Sequence, residues 1–398
     1  MPAKSYRQES VEDEFMVISR VFIRAYKSIF ELTLPVDPKI TIIIGANESG
    51  KSNILKSLLS FAPGVRFDNS LTCQYSDYYY QGKCPEVAIE FTELTNENRR
   101  NLIRFSEVFK EAKSFVIRKN GQQLSDYHVI IGETEIPISD MGRFLGLMPK
   151  ILFFDDIPLL KSRATLEELS SGKEEFRTER NLLRIGGIVD PALIFEDSTR
   201  GRRASEEASR LVTQQIRRVW SQEPTIEVKL NVNGKVLYID ISDGTTVFDT
   251  PESRSMGFRW YLSFYINFIA QTFEARANEY IFLIDEPGIH LHPAGQKDLT
   301  RVMEDLAIKN QIIYTTHSPF MINREYPQRV RLVSKDKDGT RIDSQAYREN
   351  WRPLRSSIGL MVGDLFFFSD SGVMLEFPTR KVPFMRKLHR GKPASNGK

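Results

Sequence analysis

The stretch GANESGKS at residues 45–52 combines residue types and a spacing that suit the binding of phosphate groups. Its glycines let the backbone curl, so that N–H groups and a helix N-terminus can face the phosphates. Lys51 is placed to reach the β- and γ-phosphates of a nucleotide, and the Ser52 hydroxyl is placed to hold Mg²⁺. We therefore predict a site for ATP and Mg²⁺, whose nucleotide-binding residues are Gly45, Asn47, Glu48, Ser49, Gly50, Lys51, Ser52 and Asn53.

A second set of reactive groups follows two apolar runs near the end of the chain. The run at residues 280–284 ends in Asp285 and Glu286, and the run in QIIYTTHSPFMI leads to His317. A carboxylate at a strand end can hold the water shell of Mg²⁺, and its neighbour can act as a general base. We assign Asp285 to the metal and Glu286 to the base. An isolated histidine is more often structural, but its place one strand further on assigns His317 to the γ-phosphate or the attacking water.

Two weaker patterns lie close to these runs. Ser255 and Gly257 precede an apolar run typical of a buried helix, and such a pair at a helix N-terminus forms either an anion site or an ordinary cap. His290 and His292 form an HxH pair, which can mark a metal centre. No cysteine or carboxylate cluster completes four ligands nearby, so the pair is not assigned to a metal.

Hydrophobic patterning indicates the elements that position these groups. Residues 39–44 form a short β-branched run typical of a buried parallel strand, and residues 53–59 have helical spacing. From residue 161 to residue 222 the chain is rich in good helix formers. Two alternating runs around Asn233-Gly234 predict a hairpin with a type I′ turn.

Composition limits the class of protein. The chain has 398 residues, 41% of them hydrophobic and 27% charged, which is enough for a substantial core. No run is long and apolar enough to span a membrane, and the N-terminus is too polar for a secretory signal, so we expect a cytoplasmic protein. Cys73 and Cys84 have no CxxC partner and are expected to be reduced. The net charge of +3 reflects a basic tail after Glu376, either a DNA-touching arm or, more in keeping with its composition, a solvated end.

In combination, these motifs resemble the ABC-type ATPases of the SMC and RecF class. The correspondence is Walker A at 45–52, a signature motif at 255–257, Walker B at 280–286 and a switch histidine at 317. The segments YIFLIDEPGIHLHPAGQ, TTHSPFMI and VFIRAYKSIFELTLP are similar to the OLD family (overcoming lysogenization defect) and its relatives in phage-defence systems such as Gabija. The resemblance implies an α/β fold, an ABC-type (SMC/RecF-like) P-loop ATPase head with a helical insertion.

The resemblance also implies partners and roles. ATP would lie between two heads of a dimer or higher oligomer, with Ser255 and Gly257 acting on the nucleotide of the partner. Lys27 would lie near the nucleotide, and residues 287–293 would link the two sites. Gln74 and Gln81 are both candidates for the Gln loop. DNA is the expected further partner, and a membrane is not.

Four segments follow from the resemblance and the patterning together. The insertion is too short for the coiled coil of an SMC protein. The resemblance implies that it serves dimer contacts or links heads. The segments are 1–160, the N-terminal ATPase lobe; 161–222, the helical insertion; 223–345, the C-terminal lobe with signature, Walker B and switch histidine; and 346–398, a junction with a basic tail.

The last segment resembles the start of a Toprim nuclease domain. Glu376 occupies the place of the catalytic glutamate, but Phe377 stands where glycine is expected, and no Asp or Glu follows. Two-metal cleavage of a phosphodiester needs several carboxylates, so this chain is not expected to cut DNA by itself. Either the reading frame is interrupted, which the tail slightly favours, or a separate chain supplies the nuclease.

Three functions are compatible with these motifs. The first is the ATP-hydrolysing head of an OLD-like DNA-processing or phage-defence complex. The second is a RecF/SMC-like ATP-gated DNA clamp without a nuclease, against which the Toprim-like junction argues. The third is the motor of a membrane transporter, which the absence of membrane segments disfavours.

Overall fold

The computed structural model describes residues 15–154, 157–196, 199–244, 248–274 and 280–345. The chain divides into two units, 1–358 and 359–398. The second unit lies outside the described residues, and so does the whole predicted Toprim-like junction at 346–398, with Glu376 and Phe377.

Fifteen strands are present in these ranges. In chain order they are β1 (Val17–Tyr26), β2 (Ile29–Pro35), β3 (Ile40–Ile44), β4 (Glu86–Thr92), β5 (Phe115–Lys119), β6 (Tyr127–Ile131), β7 (Thr134–Ile136), β8 (Lys150–Phe154), β9 (Arg163–Thr165), β10 (Glu227–Asn233), β11 (Val236–Ser242), β12 (Tyr280–Ile284), β13 (Gln311–Thr316), β14 (Val330–Asp336) and β15 (Gly339–Asp343).

The same ranges contain nine α-helices. They are α1 (Lys51–Phe61), α2 (Asp77–Tyr80), α3 (Asn96–Leu102), α4 (Met141–Leu145), α5 (Leu166–Ser170), α6 (Arg177–Ile185), α7 (Thr199–Val219), α8 (Met256–Glu274) and α9 (Pro293–Leu306). None of the helices in the described part of the chain combines the length and the apolar character needed to cross a bilayer.

A central, mostly parallel sheet positions the predicted site. Its strand order is β15-β14-β3-β13-β12-β8, with only the edge strand β15 antiparallel. All five residues of β3 are buried, as expected for a strand covered on both faces. Because the carboxyl ends of parallel strands meet at one edge, the segments after β3, β12 and β13 lie together. The fold is α/β with a mostly parallel central sheet, as the sequence predicts.

Two hydrophobic cores lie on the two faces of this sheet. On one face, α1 packs between the central sheet and an antiparallel sheet of order β2-β1-β4-β5-β6-β7. On the other face, the sheet shares a core with α6, α7, α8 and α9. Alternate residues of β3 serve the two cores, with Ile42 and Ile44 in one and Ile43 in the other. The period of two in a strand therefore distributes one apolar run over two cores.

The side chain of Gln311 joins the two sheets. Its Oε1 accepts from the backbone N–H of Ile18 at 2.9 Å, and its Nε2 donates to the carbonyls of Ile18 at 2.7 Å and Asp37 at 2.9 Å. Gln311 is fully buried in β13. These three hydrogen bonds satisfy backbone groups of Ile18 in β1 and of Asp37 between β2 and β3, which would otherwise lack these partners.

Helix α7 covers the edge of a third sheet, of order β10-β11-β9. Ser205, Ser209, Thr213 and Arg217 repeat every four residues along α7. Their side chains bond backbone groups of β10 and the residue before it, at Leu230, Val228 and Ile226. These side chains are hydrogen-bond partners for backbone N–H and C=O groups of the edge strand β10. Without them, those groups would be free to pair with another strand.

The predicted hairpin is present, but its turn type differs from the prediction. Asn233 pairs with Val236, so the two-residue loop is Gly234-Lys235. Of these two residues, only Gly234 has a positive φ, 60°. A positive φ at the first central position alone is the type II′ arrangement rather than type I′.

Residues 161–222 contain β9, α5, α6 and α7. Their buried residues belong to the same core as α8 and α9, so these helices are packed onto the second half of the chain. The division into lobes at residues 160, 222 and 345 stays a prediction.

A buried lysine caps the C-terminal end of α1. Lys119 is fully buried, and its Nζ donates to the carbonyls of Ser60 at 2.7 Å and Ala62 at 3.4 Å. The hydroxyl of Tyr127 donates to the carbonyl of Phe61 at 2.6 Å. Together they provide hydrogen-bond donors for carbonyl groups at the end of α1, where a positive charge also interacts favourably with the helix dipole. Burial lowers the pKa of Lys119 to about 8.

Replacing Gln311 by methionine, of similar size, should lower the free energy of unfolding by about 2–4 kcal/mol, because it leaves buried backbone groups of Ile18 without partners. Chemical denaturation measures the change. The matched control is Gln214→Met on the exposed face of α7, which should change stability by no more than about 0.5 kcal/mol. Equal effects of the two substitutions would contradict the proposed link between the sheets.

The Lys119 ammonium should make stability depend on alkaline pH. Its pKa is about 8 in the folded chain and 10.5 in its ordinary state, so between these values the unfolded chain binds more protons and stability rises with pH. From pH 8 to pH 10 the free energy of unfolding should therefore rise by about 2 kcal/mol relative to Lys119→Met. The exposed control Lys113→Met should follow the wild type, whereas parallel curves for all three proteins would refute the assignment.

Candidate functional site

The loop between β3 and α1 is shaped by two glycines. A Cβ on Gly45 would lie 2.2 Å from the carbonyl oxygen of Val333, and a Cβ on Gly50 would lie 2.2 Å from Oγ1 of Thr340. Gly50 also has a φ of 102°, and Glu48 has a φ of 62°. Only glycine fits the close approach at both positions. The loop is thereby pressed against the β14–β15 hairpin, with Asn47 and Glu48 exposed at its tip.

The charged and polar groups of this loop suit a phosphate ligand. The side chain of Lys51 is buried, and its Nζ donates to the carbonyls of Gly45 and Ala46, both at 3.1 Å. Ser49 is only 4% exposed, and its Oγ has no hydrogen-bond partner among the described residues. A buried hydroxyl without a partner is costly. It is therefore an available donor within the predicted phosphate loop.

Asp285 and Glu286 follow β12 directly and are held by a residue of the neighbouring strand. The backbone N–H of Glu286 donates to Oγ1 of Thr315 at 2.9 Å, and that hydroxyl donates to Oδ1 of Asp285 at 2.5 Å. Thr315 is fully buried near the end of β13. One hydroxyl thus positions both predicted acids. The sequence analysis missed Thr315, although its place two residues before His317 could have indicated it.

Glu286 connects the phosphate loop to His317. Its Oε1 lies 3.1 Å from Nζ of Lys51, and its Oε2 lies 2.8 Å from Nδ1 of His317 and accepts from the His317 backbone N–H at 3.2 Å. Glu286 has a φ of 47°, an unusual conformation for a residue other than glycine, asparagine or aspartate. The structure therefore brings Lys51, Asp285, Glu286 and His317 together at one edge of the central sheet.

The donor set near this edge suits Mg²⁺ held jointly with phosphate. Ser52 lies in the first turn of α1, and Asp285 offers a carboxylate, both hard oxygen ligands. Among the described residues no three His, Cys, Asp or Glu side chains form a metal cluster, and His290 and His292 belong to no such group. Mg²⁺ commonly uses one or two protein oxygens, water and substrate phosphates. Ser52 and Asp285 are the residues that would hold it here.

The predicted signature residues lie at the start of α8. The Oγ of Ser255 accepts from the backbone N–H of Phe258 at 3.2 Å, which is an ordinary helix cap. A Cβ on Gly257 would lie 2.3 Å from the carbonyl oxygen of His290, so this glycine packs against the loop at 287–293. A cavity of about 400 Å³ beside them is lined by Met256, Trp260 and Glu286, among others. The start of α8 and the predicted base thus border one cavity.

Lys27 and Asn53 belong to segments next to the phosphate loop, the β1–β2 turn and the first turn of α1. Lys27 is exposed, and its backbone N–H donates to Leu71 at 2.8 Å. Burial of part of its side chain and the charge of Lys56 lower its pKa. Asn53 donates through Nδ2 to Oγ of Ser28 at 2.8 Å. Gln74 and Gln81 are both exposed on the adjoining segment, so both stay candidates for the Gln loop.

Replacing Thr315 by valine keeps the shape of the side chain and removes the hydroxyl that holds Asp285 and Glu286. We expect kcat for ATP hydrolysis to fall about 10- to 100-fold, because small displacements of catalytic groups cost this much. Steady-state phosphate release measures the change. Thr315→Ser, which restores the hydroxyl, should stay within about threefold of the wild type, and a valine variant with normal kcat would show that the hydroxyl does not matter.

Comparison with known proteins adds relatives to this geometry. The uncharacterised protein MJECL43 of Methanocaldococcus jannaschii is 29% identical over 154 residues, covering 36% of this chain and 40% of that protein. The OLD nuclease of Thermus scotoductus is 37% identical over 70 residues, covering 17% and 13%. Endonuclease GajA of Bacillus cereus is 21% identical over 409 residues, covering 95% and 68%. The first two matches thus span less than half of either relative.

Solved structures with a similar arrangement include SMC heads. The Smc head domain bound to the C-terminal domain of ScpA, derived from Pyrococcus furiosus, is 18% identical with a TM-score of 0.49, covering 86% of this chain and 99% of that one. The SMC head domain from Thermotoga maritima is 12% identical with a TM-score of 0.43, covering 82% and 98%.

A family model described as AAA ATPase domain matches residues 16–147 and 209–322. The matched residues make up more than half of the chain and include the phosphate loop, Asp285, Glu286 and His317. The chain belongs to the AAA ATPase domain family.

Proposed function

We propose that this chain is the ATP-hydrolysing head of an OLD-like system that processes DNA or defends against phage, acting together with a nuclease. The observation that carries the proposal is the position of Glu286 between Lys51 and His317. A carboxylate held beside a phosphate loop and an imidazole suits the role of general base in phosphoryl transfer to water.

Each residue has a role in this proposal. Lys51 binds the β- and γ-phosphates, and Ser52 and Asp285 hold Mg²⁺, which neutralises phosphate charge when bound. Glu286 accepts a proton from the attacking water at a carboxylate oxygen. His317 orients that carboxylate through its Nδ1 contact. Lys51 contacts Glu286 in the structure and would also contact the phosphates. Nucleotide binding therefore has to replace one partner of the Lys51 ammonium group by another.

The proposal includes a second copy of the head. The cavity beside Glu286 is bordered by Met256 and Ile289, whose side chains are 54% and 55% exposed. Large exposed apolar residues around a reactive centre are typical of a surface that another protein covers. Ser255 and Gly257 would act from there on the nucleotide of the partner head. Self-association through this face is therefore part of the proposed function. We also propose a cytoplasmic location.

DNA and a nuclease partner rest on the relatives. The names OLD nuclease and endonuclease GajA describe nucleases, and the match to GajA covers 95% of this chain. We extend the DNA-processing role to this chain on that basis. The Toprim-like junction belongs to residues 346–398, outside the described ranges.

Replacing Glu286 by glutamine removes the base and keeps the size of the side chain. We expect kcat to fall at least about 100-fold, while ATP still binds and the ATP-bound form accumulates as a dimer. Phosphate release, equilibrium nucleotide binding and light scattering after size exclusion measure these quantities. Lys51→Ala should instead lose nucleotide binding.

The control is Glu133→Gln, an exposed glutamate in the β6–β7 turn that is remote from the site in sequence, which should hydrolyse ATP as the wild type does. If Glu286→Gln hydrolysed ATP within about tenfold of the wild type, the assignment of the base would be wrong, since such groups contribute about 100-fold or more.

A further inference from the structure

Ser28, Asn53 and Thr340 form a polar cluster at the phosphate loop, and of the three only Asn53 is among the predicted nucleotide-binding residues. The three residues come from the β1–β2 turn, the first turn of α1 and the second residue of β15. The hydroxyl of Ser28 lies 2.8 Å from Oγ1 of Thr340 and accepts from Nδ2 of Asn53 at 2.8 Å. Three elements distant in sequence therefore meet at one serine hydroxyl.

The backbone repeats the same connection. The N–H of Thr340 donates to the carbonyl of Ser28 at 2.9 Å. Gly339 has a φ of 104°, and a Cβ on it would lie 2.6 Å from that same carbonyl oxygen. Only glycine allows this approach. The hairpin end is thus joined to Ser28 by a backbone bond as well as a side-chain bond.

This cluster lies directly against the phosphate loop. A Cβ on Gly50 would lie 2.2 Å from Oγ1 of Thr340 and 3.0 Å from Oγ of Ser28. Gly50 immediately precedes Lys51, the predicted phosphate ligand. Thr340 is 2% exposed, so water cannot readily replace its hydroxyl as a partner. The conformation of Gly50 is therefore set by contacts from outside the loop.

The other glycine of the loop contacts the same hairpin. A Cβ on Gly45 would lie 2.2 Å from the carbonyl oxygen of Val333 in β14. The β14–β15 hairpin consequently supports the first glycine through Val333 and the second through Thr340. The loop between these points contains the backbone N–H groups that would bind phosphate.

We propose that Thr340 is a positioning residue for nucleotide binding, which fixes the phosphate loop through Ser28, Asn53 and Gly50. Its side chain need not touch the nucleotide. It holds the loop in its binding conformation before ATP arrives, so that binding does not have to order the loop. This inference rests on the nucleotide-binding role of the loop and is independent of the hydrolytic role proposed for Glu286.

The test compares six proteins: the wild type, Thr340→Val, Thr340→Ser, Ser28→Ala, Lys51→Ala and Thr41→Val. Thr41 is the matched control, because it is a fully buried threonine near the opposite end of β3 whose Oγ1 accepts one hydrogen bond, from the Asp37 N–H at 2.8 Å. The dissociation constant of a fluorescent ATP analogue with Mg²⁺, the KM and kcat of ATP hydrolysis, and amide hydrogen exchange of residues 45–53 without nucleotide are measured.

We expect Thr340→Val to raise the dissociation constant and KM about five- to tenfold, the typical effect of losing one hydrogen bond, with kcat within about twofold. It should also speed exchange in residues 45–53. Thr340→Ser should match the wild type, and Thr41→Val should lose stability at most. Ser28→Ala removes the hydroxyl that bonds Thr340 and Asn53. It should show the same changes as Thr340→Val, and it replaces that variant in the test if Thr340→Val fails to fold.

Several results would overturn the proposal. These are wild-type affinity in both Thr340→Val and Ser28→Ala, equal loss of affinity in Thr41→Val, or failure of Thr340→Ser to restore binding. Lys51→Ala separates this outcome from failure of the proposed function. If Lys51→Ala loses the analogue while Thr340→Val binds it normally, the positioning role is wrong and the nucleotide site stands.

Discussion

The ion pair between Lys51 and Glu286 is the contact on which the site depends. A buried ammonium group is costly unless charged and polar partners compensate it, and here two loop carbonyls and one carboxylate do so. The pair joins Lys51, the first residue of the helix that follows β3, to Glu286, two residues after β12, which lies two strands away in the sheet. It can form only if β3, β13 and β12 keep their register, which the two cores on either face of the sheet enforce.

Helix α1 is fixed at both ends, by different chemistry at each. At its start, Gly50 is held by the hydroxyls of Thr340 and Ser28. At its end, Lys119 and Tyr127 bond the last carbonyls. The apolar side of the helix packs between the central sheet and the antiparallel sheet. The phosphate loop is therefore supported by two segments outside it, the β14–β15 hairpin and the β1–β2 turn.

The acids after β12 are likewise positioned from outside their own strand. Thr315 bonds both Asp285 and Glu286, and the loop that follows them supports Gly257 at the start of α8. The loop at 287–293 therefore follows the predicted base directly in the chain and also supports the predicted signature residues. A change in the 287–293 loop would reach both, which is the arrangement needed if hydrolysis responds to a partner that covers the start of α8.

Local sequence features indicate the class of fold and the main reactive groups. Glycine spacing, β-branched runs and carboxylates at strand ends are such features, so GANESGKS, Asp285, Glu286 and His317 could be recognised as groups at strand ends. The contacts of Thr315, Thr340, Ser28 and Gln311 become visible only in three dimensions. Each of these residues bonds a partner that is distant in the chain or lies on a neighbouring strand whose register the sequence does not show. Such residues leave no periodic pattern in the sequence. The hairpin turn shows the same limit on a small scale: Asn233-Gly234 indicated the turn, but strand register made Gly234 its first central residue.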